Sequence, residues 1–155
     1  MNRRTAGMLA ILLIAVVLGA VREFIFHNLN YQIDFLAHER SASYAHSKFR
    51  AAVQGMDLAD LLVAKWVLSI LFAAFMLGLA ILLARLLFGN GRYDKPLVIG
   101  YVLIGTAALV AHLLAGGNGA FRAISVKLLH ALQYPVVLLL IWAGAMLNDH
   151  RRADR

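Results

Sequence analysis

The sequence predicts an all-α membrane protein: four transmembrane helices in an up-down bundle, with a short interfacial helix between the first two spans. Three observations carry this. Of the 155 residues, 62% are apolar and only 15% charged, whereas a soluble domain of this size is nearer half apolar. The excess is gathered into long runs, which makes the bilayer the solvent. Polar, Gly-rich breaks separate the runs, and the length suits one integral membrane domain over residues 1–155.

The first span is expected at about 6–26. The start "MNRRTAGMLAILLIAVVLGA" has the outline of a signal peptide, with a basic start, an apolar centre and small residues near Ala20. Cleavage there would place Leu18 where a small residue is preferred. The apolar run also resumes after Arg22 with Phe24, Ile25 and Phe26, so an uncleaved anchor is favoured. Ala6–Phe26 then matches the ~20 residues that cross a bilayer.

Residues 28–56 form the one long polar segment, expected outside the membrane, with "NLN" and "HERSAS" read as breaks. Within Ser43–Gly55, apolar Ala45, Phe49, Ala52 and Val53 recur with a helical period, and Gly55 is a suitable stop. This helix either lies in the interface or packs on the outer end of the bundle. Asp57 is placed to cap the next helix, with Asp60 in its first turn. That helix, 58–88, is a rod of roughly 46 Å at ~1.5 Å per residue, so it must tilt or protrude. Lys65 and Arg85 mark its two interfaces. "GNGRYDKP" turns the chain into a third span at 97–115, and "GGNG" into a fourth at 123–147. Pro135 inside the fourth removes a backbone donor and predicts a kink.

Four spans put both termini on one side. The basic residues divide almost evenly between the sides, so the Arg3-Arg4 start and the Arg-rich tail decide the orientation. Both ends are expected in the cytoplasm, with the protein multi-pass in a bacterial inner membrane. The formal charge of +7 is scattered over loops and tails without an aromatic-basic array. Lipid headgroups explain it, and no nucleic acid is expected as a partner. The absence of cysteine excludes thiolate nucleophiles, Cys-ligated zinc and iron–sulfur clusters.

This threading gathers polar residues at one depth in the outer leaflet: Arg22, Glu23, His27 and Tyr31 on helix one, Lys65 on helix two, His112 on helix three, and Lys127, His130 and Gln133 on helix four. Glu23, His27 and Tyr31 are spaced by four and share a face if the helix continues through "VREFIFHNLNYQ". A carboxylate four residues before a histidine suits a hydrogen bond to the imidazole. The stripe either faces the bundle or forms a collar at the membrane–water boundary, with the collar slightly favoured. His112 and His130 are also a conceivable axial pair for b-type haem, the competing cofactor reading. A metal completed by His27 or Glu23 is less supported, because no short ligand spacing occurs, and no cofactor is the primary expectation. No G-x-S-x-G, H-E-x-x-H or phosphate-cradling glycine loop is present, so an enzyme is not favoured. A channel or transporter lacks ionisable residues at the midplane of the spans. Small residues recur every fourth position at Ala74 and Gly78, Ala80 and Ala84, and Ala107, Ala111 and Ala115. Such rows serve close helix approach, within the bundle or towards a partner.

Three segments, "VREFIFHNLNYQIDFL", "SYAHSKFRAAVQGMDLADLLVAKWVLSILF" and "SVKLLHALQYPVVLLL", resemble small bacterial membrane proteins associated with exosortases. Exosortases are membrane-embedded cysteine transpeptidases that process C-terminal sorting signals. The resemblance implies an accessory role beside such an enzyme and transfers no catalytic residue, since this chain has no cysteine. The expected function is therefore a non-catalytic accessory or assembly protein. Its partners would be the bilayer and a membrane-embedded protein or sorting-signal helix.

Overall fold

In hydrocarbon a chain must satisfy its own backbone groups, and a helix does so within each segment. The computed structural model describes residues 3–116 and 119–153, with side chains as far as residue 146. Among them every regular element is helical: α1 (Arg3–Ala37), α2 (Ser47–Ala52), α3 (Leu58–Phe88), a 3-10 turn (Gly91–Tyr93), α4 (Asp94–Leu113), α5 (Gly119–Gln133) and α6 (Val136–Ala153). Three helices, α1, α3 and α4 with its leading turn, are long and apolar enough to cross a membrane. The pair α5–α6 passes the same test jointly, bent by 57° at Tyr134–Pro135. The predicted "GGNG" turn includes Gly117 and Asn118, which lie outside the described residues.

The helices run antiparallel in sequence order, and their ends are tied by polar contacts. Arg4 reaches the final turn of α3 and donates from Nε to the Leu86 carbonyl at 2.7 Å, and to the Leu87 carbonyl from Nη2. These carbonyls are among the four that a helix leaves unpaired at its C-terminus. Gly89 then closes α3 in the left-handed region (φ 72°), its N–H on the Arg85 carbonyl at 2.9 Å, a conformation that a side chain would strain. Arg85 pairs with Asp94 at the start of α4. At the opposite end, Asp57 and Asp60 form a reciprocal capping box on α3, as their spacing predicts.

The "NLN" break does not occur. α1 continues for 35 residues because its asparagines serve tertiary contacts instead. Asn28 Nδ2 donates back to the Phe24 carbonyl at 2.8 Å, while its Oδ1 accepts the His46 N–H at 2.6 Å. Gln32 accepts from Ser43 Oγ at 2.8 Å. The polar loop is thereby folded against α1, and only "HERSAS" breaks the helix. Arg40 and His38 both close on Asp34 there, and Glu39 takes a positive φ of 46°. The helix expected over Ser43–Gly55 shortens to Ser47–Ala52, begun by the His46 ring accepting the Lys48 N–H.

The core lies between α1, α3, α4 and the α5–α6 pair, where Met8, Ala15, Met76, Ala80, Leu83, Tyr101, Leu132 and Leu138 meet. Large apolar side chains elsewhere point outward, among them Leu13, Ile70, Phe75, Leu103 and Leu140. An apolar exterior on every long helix is what lipid contact requires. Of the small residues, Ala80, Ala84, Ala111 and Ala115 are buried between helices. Ala74, Gly78 and Ala107 are exposed, and a side chain at Gly78 would meet nothing within 4 Å. That half of the pattern does not pack this chain's own bundle.

The bent pair carries the chain across the bundle. Arg122 of α5 shares a cavity wall with Leu62 and Trp66 near the start of α3. Pro135 lies against Gly19 in mid-α1, where an added Cβ would stand 3.5 Å from the proline ring. Ile141 of α6 then lines a cavity with Ala84, Phe88 and Leu97 at the far end. Reporters of sidedness placed in the Gly91–Tyr93 turn and after α6 are therefore expected to agree with each other, and one at Tyr44 to disagree with both. A reporter after α6 that matches Tyr44 would make the pair a re-entrant loop.

Candidate functional site

Spacing along the helices places the polar residues. From Arg4 to Arg22 is ~27 Å of helix, and from Lys65 to Arg85 ~30 Å, each about the thickness of a hydrocarbon core. Arg22 therefore stands at one edge of the apolar zone, and α1 continues beyond it with α2 and the first turns of α3.

Arg22 is 3% exposed. Its Nε donates to Gln133 Oε1 at 3.0 Å, and its Nη1 to the Tyr134 hydroxyl at 3.0 Å and to Glu23 Oε2 at 3.1 Å. The guanidinium carbon also lies 4.5 Å from the Phe26 ring centre and 4.9 Å from that of Tyr134. Tyr134 donates its own hydroxyl proton to Glu23. Gln133 passes the connection on, donating from Nε2 to the Ser69 carbonyl of α3 at 3.2 Å. One buried charge thus receives a counter-ion, two hydrogen-bond acceptors and two aromatic faces, and it joins α1, α3 and the α5–α6 break. Buried charges persist only with such partners.

The remaining predicted residues divide. Glu23 is committed to Arg22 and Tyr134 and makes no hydrogen bond to His27, which corrects the expected carboxylate–imidazole contact. His27 is exposed and packs edge-on against Tyr31, with ring centres 4.5 Å apart, and Tyr31 in turn meets Tyr44 at 6.0 Å. Lys65 Nζ donates to Asn30 Oδ1 at 2.7 Å. His130 stacks edge-on near Tyr134 at 5.7 Å. Arg22, Glu23, His27, Asn30, Lys65 and His130 line a cavity of about 200 Å³ between α1, α3 and α5, together with apolar Phe26, Val126 and Leu129, whereas Tyr31 does not line it.

His112 is not in that cavity. It lies against Trp66, ring centres 5.0 Å apart, and lines a neighbouring cleft of about 330 Å³ with Arg122 and Ser125. The two clefts share Lys65, Ser69, Val126 and Leu129 as a common wall, so His112 and His130 face different spaces. Among the described residues no three His, Cys, Asp or Glu side chains converge as a metal would need. Lys127 is exposed and lines neither cleft. Both buried serines are occupied by helix carbonyls: Ser69 Oγ donates to Lys65 O at 2.8 Å and Ser125 Oγ to Ala108 O at 2.8 Å.

Tyr134 and Asn30 are the residues that sequence reasoning overlooks. The available signal for Tyr134 is its place directly before Pro135, where a broken helix leaves room for a side chain from another span. A phenol at such a break, next to Gln133 in an otherwise apolar run, marks a polar junction.

The fold and this junction define a multi-pass α-helical membrane protein with a polar cluster at one end of its apolar zone. Comparison with known protein families, characterised proteins and solved structures finds no match.

Replacing Arg22 with Ala removes three donors at once and leaves Gln133 buried without its partner. An unfolding cost of about 2 kcal/mol is expected, read as a lower midpoint of thermal unfolding in detergent. Glu23→Gln is expected to cost less than half as much, because the Glu23 side chain is 58% exposed and solvent screens it. Equal midpoints for wild type and Arg22→Ala would remove the junction's structural role.

Proposed function

We propose that the protein is a non-catalytic accessory or assembly protein of a bacterial inner membrane, with α2 on the outer side and both termini in the cytoplasm. The observation that carries this reading is how the polar cluster is used. Arg22, Glu23, Gln133 and Tyr134 bind one another and hold three helices together, and Ser69 and Ser125 are tied to backbone carbonyls. The arrangement supports a scaffold more than a reaction centre.

Beyond the junction, His27, Tyr31 and Tyr44 form an aromatic row on the outer part of α1 and its loop, with Tyr44 73% exposed. Tyrosines of this kind supply much of the binding energy at protein interfaces. The partner we propose is a membrane-embedded sorting enzyme of the exosortase type or its sorting-signal helix, in keeping with the resemblance of three segments of the sequence.

Purification from native membranes in mild detergent, with mass spectrometry of the co-purifying proteins, tests this. A stoichiometric membrane-embedded transpeptidase is expected with the wild type. A double variant Tyr31→Ala, Tyr44→Ala is expected to weaken the complex about tenfold, the equivalent of ~1.4 kcal/mol, with the fold unchanged. Recovery of the protein alone would contradict an accessory role.

A further inference from the structure

The cavity between α1, α3 and α5 has a charge that the chain does not balance. Two permanent cations contribute to its wall, Arg22 and Lys65, against one carboxylate, Glu23. Glu23 is already committed to Arg22. Lys65 has no carboxylate partner among the described residues. Its ammonium carries three donors, of which one reaches Asn30 Oδ1. His27 and His130 also line the cavity, and among the described residues neither ring makes a hydrogen bond. Phe26 of α1 and Val126 and Leu129 of α5 contribute its apolar lining.

Depth narrows the ligand. The floor is the Arg22–Gln133–Ser69 junction, at the edge of the apolar zone, and Lys65 reaches Asn30 two helical turns further out on α1. The cavity therefore begins where acyl chains end and extends into the headgroup layer. About 200 Å³ is several times the ~30 Å³ of a water molecule, which leaves room for a compact anionic group beside apolar side chains. Lysine is a point-charge binder of phosphate, and a lysine near a membrane surface contributes to attraction of anionic lipid.

We propose that this cavity binds a phosphate group held by Lys65, with His27 and His130 as additional donors, and that at this depth the group belongs to an anionic phospholipid. Apolar Phe26, Val126 and Leu129 receive the first methylenes of the lipid. Arg22 stays in the junction and sets the floor.

Native mass spectrometry of the full-length protein in detergent, with equal phosphatidylglycerol and phosphatidylcholine added, tests the proposal. The wild type is expected to retain phosphatidylglycerol preferentially. Lys65→Gln keeps an amide for Asn30 and is expected to weaken that retention about fivefold. Lys65→Arg is expected to keep it. Lys127→Gln removes the same charge from an exposed site outside the cavity and is expected to leave retention unchanged. A separate arm titrates inorganic phosphate against the lipid-free protein and follows the unfolding midpoint. A shift there that Lys65→Gln abolishes would support the phosphate site with a soluble source. No preference for phosphatidylglycerol together with no phosphate shift would overturn the proposal. Equal losses in Lys65→Gln and Lys127→Gln would overturn it too, because general surface charge would then explain the binding.

Discussion

A charged arginine buried at the edge of a hydrocarbon layer has to be satisfied completely, and much of this structure follows from that requirement at Arg22. No single helix supplies enough partners. Glu23 comes from the same helix, Gln133 and Tyr134 come from the broken turn of another, and Gln133 is itself held by a carbonyl of a third. The bend at Pro135 is what brings two consecutive polar side chains to the guanidinium while the flanking helices remain in the bundle. A straight helix would turn neighbouring side chains about 100° apart. The kink and the arginine are thus two halves of one solution.

The two ends of the bundle are built differently. At the Arg85 end the contacts gather on the C-terminus of α3 and the start of α4: Arg4 on the last carbonyls of α3, Gly89 closing the helix, Arg85 on Asp94. They terminate helices. At the other end α1 outlasts the apolar zone, and its asparagines and Gln32 gather the polar loop and Lys65 around it. That end has the aromatic row, the two clefts and the unbalanced lysine. Side-chain chemistry beyond helix capping is concentrated at this end.

Much of the architecture was legible in the sequence because length and apolarity decide it. The helix at 58–88, the Asp57–Asp60 cap and the break at Pro135 rest on local rules that the bilayer reinforces, while the third helix, expected over 97–115, runs Asp94–Leu113 because Pro96 is tolerated in a first helical turn. Local rules fail where tertiary contacts override them. "NLN" looked like a break, yet Asn28 is satisfied on both sides by Phe24 and His46. The up-down order brings Arg22, Glu23, His27, Lys65, His130 and Gln133 to one cavity. Their pairing was not legible, since four-residue spacing joins Glu23 to His27 only if nothing stronger competes. Arg22 and Tyr134 do compete and win, because the cost of leaving a buried guanidinium unpaired exceeds that of leaving an exposed imidazole in solvent. Lys127, three residues before His130, is exposed and lines neither cleft.

Arg22 and the α5–α6 break act as one energetic unit. A double-mutant cycle on thermal or denaturant unfolding in detergent measures this directly, with Arg22→Ala, Gln133→Ala and the combined variant. A coupling of at least about 1 kcal/mol is expected for groups in one buried network. Costs that simply add would contradict it, and would mean that the helix break stands without the arginine.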